Sequence, residues 1–391
     1  MKTIRKVTSS FLFIFLLPLT SCMNENVPEK LPSSLETPPT SANETFKSSG
    51  GNNLDDWRPP ELTSNGYRMQ TGDIPCPMDD EDIVYLDPFA VIPKLAKEKQ
   101  AVMINESHFK PLHRVFVQEL TKELIPEGYS YFGSELFGVD KTQWLNSTFR
   151  DRTYLVQGPS LAHYWSDPIF GQVAEYLGSE KLTLFSYEEA MVNRIEGVNS
   201  AVDYREQKQA QNILDQVASN PNGKFIIFGG YHHVKEIDDV TGIKWMAERF
   251  RSMSGIDPLT IGQTECYLEE KISGNHLGYG LLAHKNGVPI SRDGYDLIIA
   301  APKDVYVHER PTWLFDIMDR QLVKVPDSLR SDDYTLVVAI NLDRPEDAPY
   351  EDIIYRHPNS KKQLALRPGP YLLRTYGKGY HILGEETVMI D

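Results

Sequence analysis

The sequence predicts an α/β fold: a mostly parallel sheet flanked by helices, with a small C-terminal β extension. Three observations predict it. From about residue 81 to 327, short apolar runs alternate with helix-period stretches, the pattern of parallel strands joined by crossover helices. At least four such units fit within roughly 240 residues, enough for one large domain. Polar, imidazole or glycine residues follow the apolar runs at their carboxyl ends, which is where open parallel sheets bind ligands.

The folded part is expected to start near "EDIVYLDPFAVIPKLA". "AVMIN" (101–105) is β-like, and the next segment sets Leu112, Val115, Phe116, Leu120 and Leu124 on one helical face, with Pro111 suited to a first turn. "YSYFGSELF" (129–137) reads as a second strand and "LTLFSY" (182–187) as a third. "DYREQKQAQNILDQVASN" (203–220) reads as a helix lined by Ala210, Ile213, Leu214 and Val217. "GKFIIFGGYHHV" (223–234) supplies a fourth strand, "GIKWMAERFRSM" a helix, "PLTIGQTECYL" an extended piece and "YDLIIAAP" (295–302) a late strand. Residues 328–391, with "YTLVVAINL", "KQLALRPGPYLLRTY" and "ETVMI", read as the β extension and show no obvious chemistry.

Lys2, Arg5 and Lys6 precede the apolar run "FLFIFLLPL", which is too short to span a bilayer and reads as a signal peptide over residues 1–21. Thr20 and Ser21 before Cys22 resemble the lipobox of bacterial lipoproteins. That resemblance implies lipidation of Cys22 and attachment to the cell envelope, at the outer membrane. Residues 22–80, rich in Pro, Ser, Asn and Glu, read as a tether too polar to bury a core. A formal charge of −15 argues against nucleic acid and against unaided docking on anionic lipid. Cys76 and Cys266 are left after Cys22; their spacing neither makes a metal motif nor establishes a disulfide.

The candidate site is built from strand ends. Glu106 and His108 follow the first strand, Glu135 ends the second, Glu188 and Glu189 end the third, and His232 and His233 end the fourth. On a parallel sheet all of these share one edge. A carboxylate and imidazole cluster there can activate water by general base catalysis or hold a divalent metal. Glu189, His232 and His113, taken singly, read as solvated cap or turn residues, and Gly229 with Gly230 as a tight turn after a buried strand. No phosphate-cradling glycine loop, nucleophile elbow or G-x-G-x-x-G is present.

"NESH" before a helix, "GSELF" after it, "YREQKQAQNI" opening a later helix and "FIIFGGYHHV" closing the next strand together resemble the motif series of the erythromycin-esterase, ChaN and Tiki/TraB superfamily. The match runs from about Val102 to Tyr267. Its Glu-x-His spacing is that of the ChaN branch, and Asn105 stands where a glycine is common. The resemblance implies a site of Glu106, His108, Glu135, Arg205 and His233, with Glu188 as an addition. It implies a hydrolase of an ester or peptide bond, with Glu106 and His108 activating water. Glu135 and His233 would orient the base or, in a metal-dependent member, join Glu106 and His108 as ligands. Arg205 would bind substrate or steady carboxylates. The alternative it implies is a haem- or iron-binding lipoprotein without catalysis.

Overall fold

The structure is a computed structural model. It describes residues 75–76 and 80–391, apart from 109, 139–144, 146–166, 190–200, 239–241, 346–347, 359 and 378–380. The signal peptide, Cys22 and nearly all of the expected tether lie outside the described residues. Among those described, no helix is long and apolar enough to cross a membrane.

The chain runs β1 (Ile83–Leu86), α1 (Pro88–Ala96), β2 (Ala101–Glu106), α2 (Leu112–Leu124), β3 (Tyr129–Ser134), α3 (Pro168–Ser179), β4 (Thr183–Ser186), α4 (Ala201–Ser219), β5 (Lys224–Gly230) and α5 (Met246–Ser254). Then come β6 (Leu259–Gly262), β7 (Tyr267–Leu268), β8 (Gly280–His284) and β9 (Leu297–Pro302). The main sheet has the order β1-β8-β9-β6-β2-β5-β3-β4, with β7 paired to β9. Pairing is parallel from β9 through to β4, while β8 and β1 add antiparallel strands at one edge. The fold is therefore α/β with a mostly parallel sheet.

Burial on both faces explains why the central strands read as continuous apolar runs rather than alternating ones. Val102 and Ile104 of β2 pack with α1, α2 and α3, whereas Ala101 and Met103 pack on the other face with Ala210, Ile213 and Val217 of α4 and Phe250 of α5. Helices thus cover both sides. α3 starts at an Asp167 cap, whose side chain accepts from the Ile169 and Phe170 N–H groups, and Pro168 occupies its first turn.

The second strand is shorter than the sequence suggests. β3 stops at Ser134, whose hydroxyl accepts from Leu136 N, and residues Glu135–Phe137 turn as a 3-10 helix. Glu135 consequently leaves the sheet plane just past the strand. Cys76 and Cys266 form a disulfide, left open by the sequence, which ties the chain beside β7 where Cys76 N donates to Tyr267 O.

Beyond β9 lie the hairpin β10 (Tyr306–Val307) and β11 (Arg310–Pro311), α6 (Trp313–Asp316), β12 (Gln321–Val323), β13 (Thr335–Asn341), β14 (Asp352–Arg356), β15 (Leu364–Leu366), β16 (Gly369–Tyr376) and β17 (Ile382–Ile390). Four of them make an antiparallel sheet in the order β14-β13-β16-β17, and β12 pairs with β15. Val337, Ala339, Ile354, Tyr371 and Leu373 form its core on one face.

Candidate active site at the carboxyl ends of the parallel strands

Strand register sets the site. In the parallel ladders Glu106 pairs with Gly230, Ser134 with Phe228, and Ser186 with Ser134. Glu106, Glu135, Tyr187 and Gly230 therefore emerge at one level of the sheet edge. The chain leaves β2 toward β3 and leaves β5 toward β6, on the opposite side, so this edge is also the switch point where such sheets open a crevice.

Glu106 has no solvent exposure. Its Oε1 lies 2.8 Å from His108 Nδ1 and its Oε2 accepts from Arg114 Nε at 2.8 Å. Arg114, 2% exposed, also pairs with Asp167 and donates to His108 O. Burial pushes the Glu106 pKa up, but the Arg114 charge and the His108 contact outweigh it and leave the group below the usual carboxylate range. An ionised carboxylate only accepts hydrogen bonds, so His108 carries its proton on Nδ1 and presents an unprotonated Nε2 when neutral. That Nε2 lies 3.5 Å from Glu135 Oε1, and 21% of the His108 side chain is exposed.

Glu135 connects the two halves of the cluster. Its Oε1 accepts from Gly230 N at 2.6 Å, and its Oε2 lies 3.2 Å from Arg205 Nη2 and 3.3 Å from His233 Nε2. Arg205 donates through Nε to Glu188 Oε1 at 2.8 Å, and Glu188 also accepts from Gln209. His233 Nδ1 sits 2.7 Å from Glu206 Oε1 without hydrogen-bond alignment. Burial lowers the His233 pKa, but the Glu206 and Glu135 carboxylates more than reverse this and raise it. Its Nε2 stands between the donor Arg205 Nη1, at 3.0 Å, and the acceptor Glu135, so the ring has a partner with or without its second proton.

All six residues singled out in the sequence thus meet in one network. Glu106 does not touch His233; contact passes through His108 and Glu135. Three further residues were not found from the sequence, Arg114, Asp167 and Glu206, and Asn105 was noted there only as standing where a glycine is common. Asn105 is fully buried, its amide nitrogen lies within hydrogen-bond distance of Tyr231 O, Thr264 Oγ1 and the Tyr295 hydroxyl, and its oxygen accepts from Gln263 N, so it knots together the ends of β2, β5 and β6.

Two readings need correction. Gly229 and Gly230 do not have the positive φ of a turn glycine; Tyr231, at φ 43°, takes that conformation instead. The glycines give room: a Cβ on Gly229 would come 2.7 Å from the Tyr187 hydroxyl, and one on Gly230 2.5 Å from His108 Nε2. His113 is not a solvated cap. It is 1% exposed and its Nδ1 accepts from Ser107 N, which explains a pKa lowered by burial to about 3. His232 is exposed with its ring edge-on to Trp245, and Glu189 is half-buried.

A metal at Glu106, His108, Glu135 and His233 does not fit these donors. Guanidinium groups pair with Glu106, Glu188 and Oε2 of Glu135, Gly230 N donates to Oε1 of Glu135, and Arg205 also faces His233 Nε2. Among the described residues no group of three or more His, Cys, Asp or Glu side chains is placed to hold a metal ion. Of the tyrosines at this edge, Tyr187 and Tyr295 are buried with hydroxyls donating to backbone carbonyls and pKa values raised by burial, whereas Tyr231 is half-buried with its ring edge-on to His108 at 4.9 Å.

No protein-family model matches the chain, and no curated protein does. Solved structures do show similarity. The type III effector HopBA1 aligns at 13% identity over 57% of this chain and 100% of its own, with a TM-score of 0.37. ChaN of Campylobacter jejuni, described with cofacial haem binding, aligns at 10% identity over 57% of this chain and 98% of its own, with a TM-score of 0.36. The MARTX toxin effector domain RRSP of Vibrio vulnificus aligns at 15% identity over 46% of this chain, with a TM-score of 0.34; this chain spans only 36% of that one. Likenesses of this size carry no activity across.

Proposed function

We propose that this chain is an envelope-anchored hydrolase of an ester or peptide bond, in which His108 is the general base. One observation supports this most: a partly exposed imidazole is held by a fully buried carboxylate at 2.8 Å, with its other nitrogen turned toward a second carboxylate. That is the arrangement of an oriented base. The two residues of the "NESH" segment then have different tasks. Glu106, out of reach of water and saturated by Arg114 and His108, positions His108 and stabilises the imidazolium that forms when the ring takes a proton. His108 Nε2 removes the proton from a water that also contacts Glu135, and the resulting hydroxide attacks the carbonyl carbon. His233, whose pKa the Glu206 and Glu135 carboxylates raise, returns a proton to the leaving group. Arg205 offers positive charge to the developing oxyanion and fixes Glu135 and Glu188.

The charge of the cluster supports proton handling. Among the described residues Glu135 and Glu206 flank His233 and favour its protonated form, although Arg205 opposes them in part. Haem binding is the alternative, for which the half-buried Tyr231 beside His108 is the candidate tyrosine.

The test is hydrolysis of a panel of p-nitrophenyl esters and fluorogenic peptides by the chain without residues 1–22. His108→Ala is expected to lower turnover by about 10²–10⁴-fold with an unchanged circular dichroism spectrum. Equal turnover in that variant overturns the assignment of the base, and an intense Soret band in the purified protein would favour the haem reading.

A further inference from the structure

The C-terminal β region contains a second feature whose chemistry is unlike the rest of this acidic chain. A cavity of about 340 Å³ opens between β13, β14 and the segment joining β14 to β15, a size suited to a small ligand. Its lining carries Lys324, Arg330, Arg356, Lys361 and Lys362 and not one Asp or Glu. His308 and His357 add two imidazoles. Five cations around one hollow, in a chain of formal charge −15, are a local reversal of sign that focuses potential inward.

Side-chain detail strengthens the case. Arg356 donates through Nη2 to Ser360 O at 3.0 Å, but its buried Nε has no hydrogen-bond partner. A buried donor left unpaired is costly, and a guanidinium fork is shaped to pair with a tetrahedral oxyanion. Burial first and the neighbouring Arg330 charge second lower the Arg356 pKa, and Glu309 offsets them only in part. Two acids lie beside the lining, Asp327 pairing with Arg330 and Lys324 and Glu309 accepting from Lys361 N and Ser360 Oγ, so five cations face two carboxylates.

The rim is held in a strained form. His308 and Glu309, the two turn residues of the β10–β11 hairpin, both have left-handed φ, 47° and 61°. Such turns usually take Asn-Gly, and non-glycine residues in this region concentrate at functional sites. Here the turn puts His308 on the cavity wall while Glu309 clamps the 360–361 backbone that forms its floor. Arg310, beside the turn, anchors the hairpin by a buried ion pair with Asp352 of 2.7 Å.

We propose that this cavity is a binding site for a small molecule bearing a phosphate or sulfate ester, separate from the cluster at the main sheet edge. Arg356 provides the fork, and Lys361, Lys362 and Lys324 provide surrounding charge. A phosphate or sulfate ester suits the hollow better than a carboxylate because it offers three or more acceptor oxygens, and for phosphate more negative charge, to several cations at once.

The experiment is isothermal titration calorimetry of the intact mature chain with inorganic phosphate, inorganic sulfate and acetate, at an ionic strength held constant with sodium chloride. Saturable binding of phosphate or sulfate is expected, with acetate at least tenfold weaker. Tighter phosphate binding identifies phosphorylated ligands, tighter sulfate binding identifies sulfated ones, and equal affinity shows that the site selects tetrahedral anions as a class. Arg356→Gln should weaken binding at least tenfold. Should that variant fail to fold, the double variant Lys361→Gln and Lys362→Gln, at surface positions, should do the same. Heats no larger than those of sodium chloride, acetate binding as tight as phosphate, or unchanged affinity in a folded variant would each overturn the proposal.

Discussion

Gly230 lies so close to His108 that a Cβ on the glycine would sit 2.3 Å from the ring carbon Cε1 and 2.7 Å from Glu135 Oε1. The absence of a side chain at this strand end is what lets imidazole and carboxylate meet over the β2–β5 pair. Gly230→Ala is therefore expected to push the His108 ring away from Glu135. Misplacement of a catalytic group by about 1 Å costs on the order of 10²-fold, so turnover should fall by about that factor while the circular dichroism spectrum is retained. Wild-type turnover in Gly230→Ala would show that His108 does not act from this position.

Arg114 separates architecture from chemistry. It binds buried Glu106 on one side and the half-buried Asp167 cap of α3 on the other, and is itself buried. Removing one member of a buried network leaves uncompensated charge and costs about 3–5 kcal/mol. Arg114→Met should therefore lower the urea midpoint substantially, with an unchanged slope, whereas His108→Ala should not. Equal midpoints for Arg114→Met and wild type would contradict the ion network.

Much of this site was legible in the sequence because the central strands are buried on both faces. Their apolar runs are unbroken, so polar residues such as Glu106 and Glu135 mark the strand ends sharply. Arg114 was not legible, for an arginine within an amphipathic helix reads as solvated. Its burial depends on Asp167, 53 residues later, meeting it through packing. Glu206 was hidden in the same way beside Arg205, and Asn105 was taken only as a departure from a glycine. The basic cavity gathers residues from 308 to 362, and no local pattern of sequence records that convergence.

His113 predicts an acid sensitivity. Its folded pKa is depressed from 6.5 to about 3 by burial, so the native state binds fewer protons than the unfolded one. Its neutral form is fully accommodated above pH 6.5, and stability is lost progressively as pH falls from there toward 3. The loss amounts to roughly 4–5 kcal/mol at the lower end, at about 1.4 kcal/mol per unit. His113→Gln, whose amide oxygen can still accept from Ser107 N, should flatten the dependence of the melting temperature between pH 6 and 4. A variant with the same pH profile as wild type would exclude His113 as its origin.

Arg205 carries the last prediction, which concerns cations. It reaches Glu188, Glu135 and His233 at once, and its planar fork makes two parallel contacts with Glu188 that an ammonium group cannot reproduce. Because guanidinium rather than metal balances these carboxylates, prolonged dialysis against EDTA should leave hydrolysis unchanged, measured on the same ester that reveals activity. Arg205→Lys should lower turnover by at least tenfold, since Glu135 and Glu188 would lose their common clamp. If instead chelation abolished activity and added zinc or manganese restored it, a metal would have to displace Arg205, and the assignment of charge in this cluster would be wrong.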